Sequence, residues 1–81
     1  MQVFLEYVVK GLVQNPEAVT ITPVERDGMT VYELRMDQQD VGKIIGRHGV
    51  TINAIRSLLV AGSAKQGLRC SVEIVEDEKQ S

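Results

Sequence analysis

At 81 residues and 9.0 kDa, the chain has material for one two-layer core and too little to enclose a substrate chamber, which favours a binding module over an enzyme. Hydrophobic residues at 43% and charged residues at 25% exclude a disordered chain, and no apolar run reaches the length of a membrane span. A net charge of −2 and a pI near 5.3 argue, as totals, against a nucleic-acid binder. The N-terminus Met1-Gln2-Val3-Phe4-Leu5-Glu6 has neither the basic start nor the small-residue cleavage site of a signal peptide, so the expected location is the cytoplasm. Cys70 is the single cysteine and has no partner for an internal disulfide, which fits a reducing compartment.

In chain order, Val3 to Gln14 carries Phe4, Val8, Gly11 and Leu12 at helical spacing, and Asn15-Pro16 ends that helix. Val19 and Ile21 then alternate with Thr20 and Thr22, and Tyr32, Leu34 and Met36 alternate with Val31, Glu33 and Arg35, on either side of Asp27-Gly28. This predicts an antiparallel hairpin with a tight turn. Asp37 is a good N-cap, Asp40 three residues on favours the same start, and Val41, Ile44 and Ile45 give a short helix its apolar side. After a glycine-bearing interruption, Val50 to Ala64 resumes helical spacing at Ile52, Ile55 and Leu59 with Leu58 beside them, closing near Gly62 to Gly67. A last strand places Cys70, Val72 and Ile74 on one face. The expected class is α+β, in the order helix, strand, strand, helix, helix, strand, with three helices on one face of a three-stranded sheet. Residues 1–75 read as one domain and 76–81 as a polar tail, frayed at its end.

The interruption is the informative part. In Ile45-Gly46-Arg47-His48-Gly49, two glycines spaced G-x-x-G free a tight loop to take dihedrals closed to other residues and remove the Cβ atoms that would hold a sugar-phosphate chain away. Arg47 and His48 between them supply a planar cationic fork and a donor. The following helix turns its unpaired N–H groups and positive dipole end to the same spot. Charge is segregated to match. From Val41 to Cys70 there are five bases (Lys43, Arg47, Arg56, Lys65, Arg69), one histidine and no acid, while the other segments hold four bases against all eleven acids, a split of +5 and −7. Lys43, a turn before the loop, and Arg56, on the helix after it, are candidates to extend a phosphate track. The competing reading of Arg56 and Lys65 is the solvated side of a helix, and of Gly46 and Gly49 a plain helix-turn-helix linkage.

The run Asp40-Val41-Gly42-Lys43-Ile44-Ile45-Gly46-Arg47-His48-Gly49, followed by Thr51-Ile52-x-Ala54-Ile55-Arg56-x-Leu58-Leu59, closely resembles the KhpA family of small bacterial single-KH proteins, across nearly the whole chain. The resemblance implies a type II KH domain, whose I-G-x-x-G loop clamps about four backbone nucleotides of single-stranded RNA. It places the bases in an aliphatic groove beside the loop, so that Val41, Ile44, Ile45 and Ile52 are candidates to line or support it, with Gly42 allowing close approach and Thr51 opening the next helix. It further implies a homodimer, a KhpB-like KH protein as partner, and a role as RNA chaperone or post-transcriptional regulator linked to cell envelope and cell length control. A short footprint and weak stacking independently predict modest affinity from one copy, which a second domain would raise.

Other modules fit less well. Phe4, Tyr7 and Tyr32 are too few for the aromatic platforms of RRM or OB-folds. The glycines at 42, 46 and 49 match neither a P-loop nor G-x-G-x-x-G. One histidine and one cysteine do not assemble a zinc set, no metal or other cofactor is expected, and Cys70, alternating with Val72 and Ile74, reads as buried. The alternative of another class is a protein-interaction adaptor on a KH scaffold with little RNA affinity of its own, which the acidic total motivates.

Overall fold

A computed structural model of the protein describes residues 2–75; the 76–81 tail expected from the sequence lies outside the described residues. The first helix, α1 (Gln2–Leu12), is shorter than the predicted Val3 to Gln14. Its buried pair is Leu5 and Val9, while Phe4 and Val8 pack at the margin of the core and Gly11 and Leu12 are exposed. The helix offers two adjacent apolar stripes one residue apart, and contact with the sheet and the second helix selects between them.

The hairpin forms as expected. Strands β1 (Thr20–Arg26) and β2 (Met29–Arg35) pair antiparallel from Thr20↔Arg35 to Arg26↔Met29. Asp27 and Gly28 between them both take positive φ, 51° and 76°, the geometry of a two-residue type I′ turn that matches strand twist. Strand β3 (Cys70–Ile74) adds parallel to β2, giving the order β1-β2-β3. Pro23 sits in β1, an edge strand where a missing N–H is tolerated.

A parallel β2–β3 pair requires a crossover, and α2 (Gln38–Ile45) with α3 (Val50–Ala64) supplies it. The core gathers Leu5 and Val9 of α1, Ile44 of α2, Ile52, Ile55 and Leu59 of α3, and Ile21, Leu34, Cys70 and Val72 of one sheet face. This is the α+β architecture expected of a type II KH domain. Val31 is buried outside that cluster, on the opposite face, where Glu33 bridges to Arg26 at 3.0 Å and to Arg35 at 3.4 Å.

Helix ends follow local chemistry. Asp37 caps α2 by accepting from the Gln39 N–H at 3.0 Å. Asp40 stands in the first turn of α2 as expected, but its carboxylate serves another element. It is only 1% exposed, and its two carboxylate oxygens accept from the Gln14 and Asn15 N–H groups, each at 3.1 Å. These amides lie just past the end of α1, so a residue of α2 satisfies the chain that leaves it. At the far end of α3, Gly67 at φ 74° allows a Schellman closure, with Gly67 N–H donating to Ala64 O at 3.0 Å and Leu68 N–H to Ser63 O at 2.9 Å. Leu58, expected beside the buried stripe, is 60% exposed. No helix among the described residues is long and apolar enough to cross a membrane.

Candidate nucleic-acid interface

The candidate site is the link between α2 and α3. Gly46 closes α2, its N–H donating to Gly42 O at 2.8 Å, and then turns to φ 76°, ψ 176°, a conformation essentially reserved for glycine. A Cβ there would collide with the Thr51 side chain and lie 2.9 Å from the Thr51 N. Gly46 is thus demanded twice, by dihedral and by space. Arg47–Gly49 make one tight turn, held by Gly49 N–H donating to Gly46 O at 3.2 Å. Gly49 at φ 75° is left-handed, but a Cβ on it would meet only Asn53 Nδ2 at 3.7 Å, an ordinary contact. His48 is also left-handed, at φ 56° and ψ 27°, a conformation that histidine, asparagine and aspartate adopt more readily than other residues.

These dihedrals hold Arg47 and His48 on an exposed turn. Among the described residues neither has a salt-bridge partner. Gly49 is the N-cap of α3; the Val50 N–H donates back to Arg47 O and no side chain caps that end, so the helix turns a partially positive terminus to the same place. A cationic fork, an imidazole and a helix N-terminus on a glycine-flanked turn form a constellation suited to phosphate oxygens.

The other candidates divide by burial and partner. Lys43 is exposed, with Nζ 3.8 Å from Asp40 Oδ1, so part of its charge is answered within the fold. Gly42 is exposed and a Cβ on it would meet nothing within 4 Å, so packing of the helices does not require glycine there. Ile44 and Ile52 are core residues, 0% and 8% exposed, and support the surface from beneath. Val41, Ile45 and Thr51 are half-buried and retain surface.

Arg56 has a partner that the sequence did not disclose. Its guanidinium donates from Nη1 to Asn53 Oδ1 at 2.9 Å and from Nη2 to Val72 O at 3.2 Å. Thr30 N–H donates to Arg69 O and Val75 N–H to Leu34 O, so odd-numbered positions of β3 face β2 and the Val72 carbonyl faces the free edge. Arg56 therefore straps α3 to the outer edge of the sheet. Only the Asn-to-Arg spacing of one helical turn was visible in the sequence. Cys70 is buried as expected. It neighbours Tyr32, whose phenol is pushed above its ordinary value by burial, and further by Cys70.

Comparison with known proteins bears on the family. The family model described as KhpA/KhpB, KH domain, matches residues 2–74. The chain is 45% identical over 78 residues to the RNA-binding protein KhpA of Chlamydia pneumoniae, covering 96% of this chain and 100% of the relative. It is 44% identical over 72 residues to the protein of that name from Borreliella burgdorferi, covering 89% and 88%. With that of Listeria monocytogenes serovar 1/2a it shares 38% over 76 residues, covering 94% and 100%. No solved structure matches at a comparable level. The chain belongs to the KhpA/KhpB family of KH-domain proteins.

Proposed function

We propose that this protein binds single-stranded RNA with the Gly46–Gly49 turn as its backbone clamp. The observation that carries the reading is the turn itself: Gly46 locked against Thr51, with Arg47 and His48 exposed at the head of a helix that no side chain caps. The names of the relatives, RNA-binding protein KhpA, support RNA as the ligand. Arg47, His48 and the α3 amides take the phosphates, Lys43 extends the track, Gly42 lets the strand lie close, and Val41, Ile45 and Thr51 meet the sugars and bases above Ile44 and Ile52. Arg56 positions the β3 edge of the groove.

A single short footprint gives modest affinity, so the working form is a homodimer or a pair with a KhpB-like KH protein. The exposed apolar side chains Val50 and Leu58 of α3 and Val3 and Tyr7 of α1 supply surface of the kind that interfaces use. By the family resemblance alone, the role we propose is that of a cytoplasmic RNA chaperone or post-transcriptional regulator, with cell envelope and cell length control as its setting. That same apolar surface favours the second reading, an adaptor that works through protein contacts alone.

Titration of isotopically labelled protein with a short single-stranded RNA tests the site. Amides of Arg47 to Thr51 and methyls of Val41 and Ile45 should shift first. Shifts confined to the open sheet face around Val31 would overturn the assignment.

A further inference from the structure

The flank of α3 that follows the glycine turn runs through Gly49, Asn53 and Arg56, spaced about one helical turn apart, and Arg56 carries it to the free edge of β3. The guanidinium spans the gap, with Nη1 donating to Asn53 Oδ1 at 2.9 Å and Nη2 to Val72 O at 3.2 Å. Val72 is only 1% exposed, so at this level a ligand meets the guanidinium and not the strand backbone. Both acceptors there, Asn53 Oδ1 and Val72 O, are committed to Arg56. A guanidinium has donors alone, which fixes the Asn53 amide with its oxygen toward Arg56 and its nitrogen free. A Cβ on Gly49 would stand 3.7 Å from that nitrogen. The remaining N–H groups of Arg56 and the Asn53 Nδ2 therefore make a surface of donors only, about 10 Å along the helix from the turn. Among the described residues no carboxylate pairs with Arg56, and segment 41–70 holds none.

We infer, taking the turn as the RNA clamp, that Arg56 reads the base of a clamped nucleotide and selects an edge with two adjacent acceptors, guanine over adenine. Guanine presents O6 and N7 side by side, the pair that an arginine fork takes bidentately, whereas adenine puts its N6 amino group where O6 would be. An amino group brought to this surface meets only donors, and the carbonyl that could accept from it, Val72 O, is already held by Arg56. The next carbonyls on that edge, those of Cys70 and Ile74, lie about 7 Å away along the strand and do not substitute. Ring size and stacking are alike for the two purines, so the hydrogen-bonding edge decides between them. Specificity at this position is thus set by a side chain of α3 that has taken over the strand edge.

The test measures fluorescence anisotropy of the full chain and its Arg56→Lys variant with a short uridine-rich RNA carrying a single guanine, and with the same RNA carrying adenine or 7-deazaguanine in that place. Circular dichroism confirms that both proteins fold. Lysine keeps the charge and loses the fork. Wild type should bind the guanine RNA about 5- to 10-fold more tightly than the adenine RNA. The 7-deazaguanine RNA, which lacks the N7 acceptor, should fall to the adenine level, and Arg56→Lys should bring the guanine-to-adenine ratio close to unity. Equal affinity of wild type for the guanine and adenine RNAs would overturn the inference and leave the clamp standing. A guanine preference that survives in folded Arg56→Lys, or with 7-deazaguanine, would overturn the assignment to this fork. Should Arg56→Lys not fold, the 7-deazaguanine comparison on wild type decides alone. Wild type that binds none of the RNAs would overturn the clamp reading, and the base reading with it.

Discussion

The side chain of Thr51 fills the space in front of Gly46, so that an added Cβ at 46 would collide with it and stand 2.9 Å from the Thr51 backbone N. The first turn of α3 thereby sets the conformation of the residue that ends α2. Gly46→Ala must change both dihedral and packing, and should cost about 2–4 kcal/mol. Gly49→Ala meets only the dihedral penalty and should cost about 1–2 kcal/mol. Urea denaturation of the two variants checks the order. Equal costs would show that the Thr51 contact carries no weight.

Asp40→Ala removes the acceptor of two backbone N–H groups at the end of α1. Leaving these part-buried donors unpaired should lower stability by about 1–3 kcal/mol, with α1 the region that loses most protection in amide hydrogen exchange. Asp40→Asn retains one acceptor oxygen and should fall between the two. A surface-like loss below about 0.5 kcal/mol would contradict the role assigned to this carboxylate.

That role also marks where sequence reading stops. The hairpin was legible because Asp27-Gly28 carries its own turn geometry, and the glycine turn between α2 and α3 because Gly46 and Gly49 sit between an apolar turn and a periodic helix. Both signals are local. The register of α1 was not legible, since Phe4/Val8 and Leu5/Val9 share one spacing and only distant packing chooses between them. Asp40 looked like a helix-start residue because its partners, Gln14 and Asn15, lie far back in the chain. Arg56 looked like a spare cation because the Val72 carbonyl that it reaches is a backbone group, which no residue type advertises.

Arg56 and Arg47 should separate in their salt dependence. If Arg47 pairs with phosphate, Arg47→Gln lowers the slope of log affinity against log salt by about 0.7, the single-strand value per phosphate. Arg56→Gln, whose guanidinium is held by Asn53 and Val72, should leave the slope unchanged and cost about 1 kcal/mol of stability. A slope lowered equally by both variants would place Arg56 in the phosphate track.

Tyr32 has a phenol whose folded-state pKa is raised by burial and by Cys70. The unfolded chain therefore ionises first. The stabilisation is fully present below the ordinary tyrosine value of about 10 and is lost as pH rises through the folded value. Stability of the wild type should fall on the alkaline side of pH 10, and Tyr32→Phe should flatten that fall. An alkaline limb of the same steepness in Tyr32→Phe would assign the loss to other groups.

The central claim is tested most directly by fluorescence anisotropy of a short single-stranded RNA with wild type and Arg47→Asp/His48→Asp at two salt concentrations, with circular dichroism confirming that both fold. Aspartate tolerates the left-handed dihedral at 48, so the substitution inverts the charge of the turn without unsettling it. The account predicts salt-sensitive binding by wild type and none by the folded double variant. Undiminished binding by that variant would contradict it.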